Sequence, residues 1–595
     1  MTLALQRWAT PVLFAIFATL SLFAHEFHWE LAVPTFLLAG AVAFSAIARG
    51  EVGGLRLRTP EVAWPALALL SILGLVLFVS PARWISLYEF QYQLLLFGGV
   101  LLFSHMRHDV VRRCLGMLLV PFMVFVALAI YQIGTAQGLP NGAFTDPNMF
   151  AGLILALSAV WLGISKGSES RLTRIVFGTC AVLGFVCVYF AMSRGAWVAL
   201  TASILIAGFA LRERLGVKVI VIVLAAAVSL GVGHVSTRHK TVTELAQHQG
   251  LGDSLNSRVA MWESSGKMIA DHPLVGHGVG LWYRFYPRYR LVTDIDSAGY
   301  HAHNDYLEAA ADGGLLGLFA ILAVPGLAFF AIRRLRESAS RTSPRVEAGL
   351  AVGTLVIAIQ AVVNFVFHDM GMVTVSGVLL GSLIALSKPD EVSAPMSPPK
   401  QIAAALMMPV LAFFAASCYL GLVPSLVIGN PAGKEAKMFP WILDSQALLN
   451  IHKLSPFASD PYFVTAHIAH MQAALEKDPV KKKALLDRAL FYYDKASALD
   501  ATSPLLQFRK ASVVGIYPGL PADERYTRSL GYLKAALDID PSDFAALRGY
   551  TKLLMMHGKK AEALAAVQNA QDRKPTQWKN PMRNLRAEIE AGAVK

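Results

Sequence analysis

The chain has 595 residues, of which 55% are apolar and 16% are charged, and its formal net charge at pH 7 is +13. This composition excludes the ordinary soluble and disordered classes and indicates a membrane protein. The positive charge does not indicate a nucleic-acid partner, because most Lys and Arg residues before the C-terminal region lie in short loops between apolar runs.

Apolar runs divide the first 430 residues into thirteen predicted membrane spans. A bilayer core about 30 Å thick requires roughly 20 apolar residues for each helix that crosses it. The predicted spans are 9–24, 31–48, 62–80, 89–105, 114–134, 149–165, 175–192, 196–211, 217–235, 307–332, 348–367, 371–387 and 402–428. We expect the first to be a retained helix rather than a cleaved signal peptide, because no clear small-residue cleavage site follows it. The sequence therefore predicts an all-α, polytopic membrane domain over residues 1–430.

The loops between these spans predict their orientation. If the N-terminus is inside, the inward loops hold 20 Lys and Arg residues, whereas the short outward loops hold only Arg83 and Arg194. Positively charged loops stay on the cytoplasmic side of a membrane. We therefore expect a cytoplasmic N-terminus, with a long loop at about 236–306 and everything after about residue 430 on the outer face.

Residues 431–595 differ from the membrane half because they are charged and lack long apolar runs. Three helical patterns end on polar turns that contain Pro504, Pro541 and Pro575, which are 37 and 34 residues apart. This period predicts a tetratricopeptide-like helical domain, whose stacked helix pairs would offer a concave surface to a protein partner. An irregular helical bundle is the alternative.

Three segments that are predicted to face outward hold residues able to carry chemistry. The first is 143–152 with Asn148, the second is the turn around Arg194, and the third is the long loop together with the helix start that follows it, as far as Gly317. The candidates in the long loop are Arg258, His277, Arg284, Arg288, Arg290, His301, His303 and Asn304. Histidine exchanges protons near neutral pH, and arginine forks bind phosphate oxygens.

Ordinary structural roles compete with these assignments. Arg194 could hold a lipid phosphate at the membrane surface, and Arg258 could lie on a solvated helix face. Arg284 and Arg288 could belong to a headgroup-binding surface. His303 begins a predicted helix, where the following Asn or Asp would suit the N-cap. We nevertheless expect His303 to be functional, because it lies at the water–membrane boundary in a segment dense with polar groups.

Metal and nucleotide chemistry are not predicted. The run from His301 to Asp305 resembles the start of a metallo-hydrolase motif, but Tyr306 stands where that motif requires histidine. Elsewhere the sequence has no Cys/His set with zinc spacing, no P-loop and no outward carboxylate cluster. We therefore expect no metal and no cofactor, so the substrate must arrive already activated.

The order of these segments resembles the bacterial O-antigen ligase and O-antigen polymerase superfamily, which includes the protein O-oligosaccharyltransferases. The family pattern is His followed by Asn, Ser or Gln, nine residues, Gly, two residues, and Gly or a similar residue. His303-Asn304 with Gly314 and Gly317 fits this pattern. The segments 146–148, 193–195 and 258–280 match the accompanying motifs in order. The resemblance covers roughly residues 60–430.

The resemblance implies an inverting, metal-independent membrane glycosyltransferase of the C-type helical class in the bacterial inner membrane. Such enzymes transfer a glycan from undecaprenyl diphosphate to an acceptor hydroxyl on the periplasmic side. It implies that His303, with His301 as the second candidate, is the base. It also implies that the diphosphate and substrate bind to Arg194, Arg258, Arg284, Arg288, Asn148 and Asn304.

The sequence also bears on which member of the family this is. The protein-glycosylating branch usually has Gln where this chain has Thr145 and Asp146, and a Tyr-rich segment where this chain has residues 364–369. Both departures argue against a protein acceptor, whereas the repeat tail argues mildly for one, since such repeats usually bind proteins. We therefore favour ligation of O-antigen to lipid A-core, with polymerisation of repeat units as the alternative and protein glycosylation after it. Two non-enzyme alternatives are a lipid-linked sugar transporter and a scaffold that recruits a protein through its tail.

Overall fold

A computed structural model describes most of the chain, and nearly all of it is helical. The described residues are 7–24, 31–53, 58–135, 139–144, 146–211, 251–294, 297–337, 345–390, 398–429, 437, 444–573 and 579–593. Within these ranges the one strand-like contact is an isolated β-bridge between Val52 and Met106. The all-α prediction is confirmed.

Fifteen helices, labelled α1 to α15, are described before residue 430. They are α1 Ala9–Ser21, α2 Ala32–Ala48, α3 Pro60–Phe78, α4 Arg83–Phe103, α5 His108–Met117, α6 Leu119–Thr135, α7 Pro147–Gly167, α8 Arg171–Ala191, α9 Arg194–Leu211, α10 Leu251–Asp271, α11 Trp282–Tyr289, α12 Asp305–Glu337, α13 Arg345–Gln360, α14 Met370–Leu386 and α15 Pro398–Gly429. A single 3-10 turn, Val366–His368, lies between α13 and α14.

Eight stretches of the described helices are long and apolar enough to cross a membrane. They are Pro60–Phe78, Arg83–Phe103, His108–Gly134, Pro147–Gly167, Arg171–Ala191, Arg194–Leu211, Asp305–Glu337 and Pro409–Gly429. The shorter helices α1, α2 and α14 are also apolar. A polytopic membrane protein is thereby confirmed, whereas the total of thirteen spans remains a prediction, because 217–235 lies outside the described residues.

One predicted loop is wrong in part. Residues 106–113 were expected to be a loop before a span at 114–134, but α5 begins at His108 and the apolar stretch runs on to Gly134. The polar residues continue the helix because Arg113 pairs with Asp109 one turn earlier, at 2.7 Å.

Local sequence explains where the helices next to the site begin. Asp146 is the N-cap of α7, and its side chain accepts a hydrogen bond from Asn148 N at 2.7 Å. Pro147 then occupies the first helical position, which needs no N–H donor. Asp369 caps α14 in the same way, accepting from Met372 N at 2.9 Å. Each helix therefore starts at a fixed residue on the face that carries the candidate residues.

The core of the membrane half lies around α7. It is the most enclosed of the candidate spans, since 78% of the residues in its apolar stretch are buried inside the protein. It packs against α8 and α13. At the crossing with α13, a side chain added to Gly163 would come within 2.7 Å of Arg345 O, so only glycine permits this approach. This close packing holds the first residues of α7 next to the turn that follows α13.

A kink divides α12 at Gly314, whose φ of +58° and ψ of −148° are not helical. A Cβ at Gly314 would lie 2.3 Å from Leu274 C, so the loop after α10 crosses directly over this point. The residues of α12 before the kink form a short N-terminal segment, called the lead of α12 below, and those after the kink form the rest of the span. The kink therefore turns the lead toward the loop and away from the span axis.

The C-terminal part consists of helices that pack in consecutive pairs. They are α16 Ser445–Leu454, α17 Asp460–Leu475, α18 Pro479–Leu499, α19 Pro504–Gly515, α20 Ala522–Ile539, α21 Phe544–Met556, α22 Lys560–Asp572 and α23 Lys579–Glu590. Small and aromatic residues such as Ala489 and Tyr493 are fully buried between them. Paired helices fit the predicted repeat architecture; its assignment as tetratricopeptide-like, and the domain boundary at 430/431, remain predictions.

The tail rests on the membrane half. Tyr419 and Val423 of α15 share an apolar cluster with Leu448 and Val464 of the tail. Farther along, Ala501 N donates a hydrogen bond to Pro81 O at 3.3 Å. The tail is therefore packed beside the loop that carries the candidate site.

Candidate active site

His303 occupies a strained backbone position at the start of α12. Its φ is +51°, and the only other non-glycine residue with positive φ in the described chain is Met192, at +54°. Such conformations persist when the surroundings enforce them, and they cluster at functional sites. The next residue, Asn304, caps α12, because its Oδ1 accepts hydrogen bonds from Tyr306 N and Leu307 N at 3.1 and 3.0 Å. The expected N-cap is thus present, and the side-chain oxygen of Asn304 is engaged by these two backbone N–H groups.

Arg258 of α10 interacts electrostatically with His303. Burial, and after it the positive charge of Arg258, lower the pKa of His303 to about 4. The imidazole is therefore neutral at neutral pH. Its Nδ1 is shielded from solvent and has no hydrogen-bond partner among the described residues. The neutral ring next to a fixed cation is suited to accept a proton when an anion approaches.

The carboxyl of Asp146 also faces Arg258. Burial raises the pKa of Asp146, while hydrogen bonds from Asn148 and the Arg258 charge oppose that rise. The side-chain amide of Asn148 donates to Asp146 Oδ1 at 2.9 Å. The motif that precedes α7 is thus joined to the long loop, as the sequence predicted from its position on the same face.

The turn between α8 and α9 makes a further hydrogen bond to Asn148. Ser193 Oγ donates to Asn148 Oδ1 at 2.7 Å, so both ends of the Asn148 amide are engaged. Arg194 follows directly as the first residue of α9 and is exposed. Met192, whose backbone is in the left-handed conformation, ends α8 and so sets the direction in which the turn leaves the helix. Arg194 therefore follows a turn that is hydrogen-bonded to the start of α7.

His301 has a different environment from His303. Its Nδ1 lies 2.8 Å from Glu308 Oε1, and its ring stacks on Phe365 with centroids 4.5 Å apart. The ring of His303 meets the edge of the same Phe365 at 5.1 Å. One ring nitrogen of His301 is thus committed to a carboxylate, whereas His303 has no such partner among the described contacts.

The expectation that no carboxylate cluster lies on this face is wrong. The buried acids are Glu308, Asp305 and Asp312 of α12, which gather with Glu89 of α4 around His368. Glu89, Asp305, Asp312 and His368 line one cavity. These residues are up to 279 positions apart in sequence (89 and 368), so no local pattern could bring them together.

The remaining loop candidates contact protein groups elsewhere. Arg284 lies 3.9 Å from Asp500, and Arg288 Nε donates to Ile539 O at 3.2 Å, so both face the tail. Arg290 pairs with the buried Asp294 at 3.2 Å inside the loop. His277 is buried, and burial followed by the neighbouring His272 lowers its pKa to about 4. The contacts of these four residues hold the loop together and bind it to the tail.

Sequence reasoning missed Glu89, Glu308 and His368. Their positions in the sequence could have identified them, because they lie in or next to predicted membrane spans. Ionisable residues there are energetically costly and usually have a functional role. The sequence alone could not show that the three would meet.

Part of the chain is similar to a known protein family. Residues 179–322 match the family model described as O-antigen ligase. No curated protein matches the chain. The matched segment begins in α8 and ends in α12, and it contains Arg194, Arg258, His301 and His303 but neither Asn148 nor His368. This match supports the resemblance to the O-antigen ligase superfamily and, in general, to glycan transfer of the ligase and polymerase type.

Proposed function

We propose that this protein transfers a glycan from undecaprenyl diphosphate to an acceptor hydroxyl on the periplasmic face of the bacterial inner membrane, and that the acceptor is lipid A-core. The imidazole of His303 carries this proposal, because it has a strained backbone, an unpartnered Nδ1 and an electrostatic interaction with the Arg258 cation. The charge bias of the loops supports the periplasmic assignment, and the match to the O-antigen ligase family supports the substrate class.

In the proposed step, the acceptor oxygen attacks the anomeric carbon as the bond from that carbon to the diphosphate oxygen breaks. The hydroxyl proton passes to the imidazole of His303, and the bonding electrons leave with the diphosphate. Attack from the opposite side inverts the anomeric centre. General-base assistance of this kind contributes roughly 100- to 10,000-fold to a rate.

Arg258 and Arg194 would bind the diphosphate. Negative charge builds up on the leaving oxygens as the bond breaks, so guanidinium groups stabilise the transition state more than the ground state. Because side chains supply both the base and the cations, we propose that the transfer itself uses no metal. Chelation with EDTA is then expected to leave the rate unchanged.

Donor binding would also activate the base. In the free protein Arg258 holds the pKa of His303 down. A bound diphosphate would offset that positive charge and raise the pKa toward neutrality, where a base works best at ordinary pH. The base would thus become effective only when the donor is present, which limits its reaction with other groups.

The test is His303→Ala in the purified full-length protein, supplied with lipid-linked glycan and lipid A-core. We expect conjugate formation to fall at least about 100-fold at unchanged protein stability. His272→Ala is the matched control, since it removes an exposed histidine of the same loop. Full activity of His303→Ala would exclude the proposal.

Mass analysis of the product distinguishes the acceptors. Ligated core is expected, whereas extended repeat units would indicate a polymerase and a glycosylated protein would indicate an oligosaccharyltransferase. If intact donor crosses the membrane and no conjugate forms, the protein is a transporter.

A further inference from the structure

A chain of buried ionisable side chains lies behind His303 and takes no part in the proposed step. His368 Nδ1 lies 2.6 Å from Glu89 Oε1, and His368 Nε2 lies 3.4 Å from Glu308 Oε1. Glu308 in turn uses Oε1 to contact His301 and Oε2 to accept a hydrogen bond from Ala302 N at 2.7 Å. The chain therefore runs from α4, through the turn before α14, to the residue that precedes His303.

The charge of His368 follows from its neighbours. Burial alone would lower its pKa, but the carboxylates of Glu89 and Glu308, and then that of Asp305, outweigh burial and raise the pKa well above its usual range. The ring is thus an imidazolium with two N–H donors. One donor faces Glu89, and the other faces Glu308 and Asp305.

The peptide groups on both sides of Ala302 are fixed. Ala302 is fully buried; its N–H donates to Glu308, and its carbonyl accepts from Trp262 Nε1 at 3.0 Å. Trp262 lies four residues after Arg258 on α10, so both side chains are on the same face of that helix. The backbone that leads into His303 is therefore tied to the Arg258 helix on one side and to Glu308 on the other.

We propose that Glu89, His368 and Glu308 form a buried ionic clamp that positions the imidazole of His303 beside Arg258, acting through the Ala302 backbone. Positive φ at a non-glycine residue requires surroundings that enforce it, and the clamp supplies them. Glu89 and His368 lie outside the family segment 179–322, whereas Glu308 lies inside it. The clamp thus couples the matched segment to the flanking helices. This inference rests on the proposed role of His303 as the base.

A divalent ion is the competing explanation. One ligand atom each from His301, Glu308 and His368 lies within 4.8 Å of the other two. However, His301 and Glu308 already meet at 2.8 Å, a hydrogen-bond distance, and His368 has carboxylates at both ring nitrogens. Ion pairs at His368 and the hydrogen bond between His301 and Glu308 account for these contacts without an ion.

The first experiment measures kcat and KM of Glu308→Gln and His368→Gln in the full-length protein, using lipid-linked glycan and lipid A-core. We expect kcat to fall about 100-fold and KM to change by less than about threefold, because misplacing a catalytic group slows the chemical step. The matched control is Glu347→Gln, another buried glutamate, which pairs with Arg112 at 3.4 Å. Its kcat should stay within about twofold of the parent. If Glu308→Gln does not fold, Glu89→Gln replaces it.

A double-mutant cycle separates positioning from general stability. In a His303→Ala background, Glu308→Gln should cause no further loss of rate, because the clamp acts only through His303. An additive loss would overturn the clamp. If His303→Ala is itself fully active, the proposed function fails instead, so the two failures are distinguishable. Elemental analysis decides the last alternative: a stoichiometric divalent ion that is lost in His368→Gln would replace the clamp with a metal site.

Discussion

At the scale of single residues, the site depends on the balance between one cation and one neutral ring. Arg258 is itself partly buried, and burial lowers its pKa while Asp146 opposes that change. Asp146 thus offsets part of the charge when no donor is bound. The pKa of His303 should therefore respond to any change in the charge at position 258 or in its surroundings.

The pH dependence of the rate should show this coupling. In the parent protein kcat/KM, which reports the free protein, should fall as the pH drops through about 4, where His303 takes up its proton. Arg258→Gln removes the positive charge, so protonation becomes easier and the acid limb should move to higher pH. The measurement is the rate over pH 3.5 to 8, with Arg258→Lys as the charge-preserving control. An unmoved limb in Arg258→Gln would show that a different group titrates.

At the scale of elements, the kink in α12 decides where His303 lies. The lead of the helix must turn at Gly314 for its first residues to reach the loop after α10. At the same place Gly276 has a φ of +64°, and a Cβ there would lie 2.3 Å from the Asp312 backbone. The two backbones are in direct contact, so neither glycine can be replaced without displacement.

Gly314→Ala should therefore destabilise the protein by roughly 3 kcal/mol or more, because its conformation is open almost only to glycine and a methyl group would clash. Gly266→Ala is the control. Gly266 lies within α10, and a Cβ there would meet nothing within 4 Å. Alanine at this position should stabilise the helix by about 0.5 to 1 kcal/mol. Unfolding in detergent, followed by circular dichroism, measures both, and equal stabilities would contradict the role of the kink.

At the scale of the whole molecule, the tail contacts the loop that carries the site. Arg284 faces Asp500, and the Arg573 guanidinium donates to Arg288 O. The tail thus occupies two of the arginines that the sequence assigned to the diphosphate. The tail would influence transfer by holding the loop in place rather than by touching the donor.

Asp500→Asn should loosen this contact by about 1 kcal/mol, because it removes one of the two carboxylates, Asp500 and Asp460, that attract Arg284. Hydrogen exchange in α11 is expected to speed up several-fold. Asp494→Asn serves as the control, since Asp494 pairs with Lys510 at 2.8 Å within the tail. Equal exchange of α11 in both variants would show that the ion pair does not hold the loop.

The sequence by itself determined the features that depend on neighbouring residues. Apolar runs predicted the membrane helices, and Asn304, one of the two residues that the sequence offered as the cap, is the helix cap. The resemblance to the family pattern also linked His303 to Gly314, which the structure explains as a helix start and a kink. These features are readable because hydrophobic periodicity, capping and glycine conformations act within a few residues of one another.

Only the tertiary structure decided which distant side chains meet. It joined Glu89 to His368, and it placed Arg284 against the tail rather than beside His303. The residues next to an arginine or a buried glutamate in the sequence do not identify the side chain with which it pairs. That choice follows from the packing of helices that are hundreds of residues apart in the chain, where buried charges must find opposite charges because low-dielectric surroundings make an unpaired one costly.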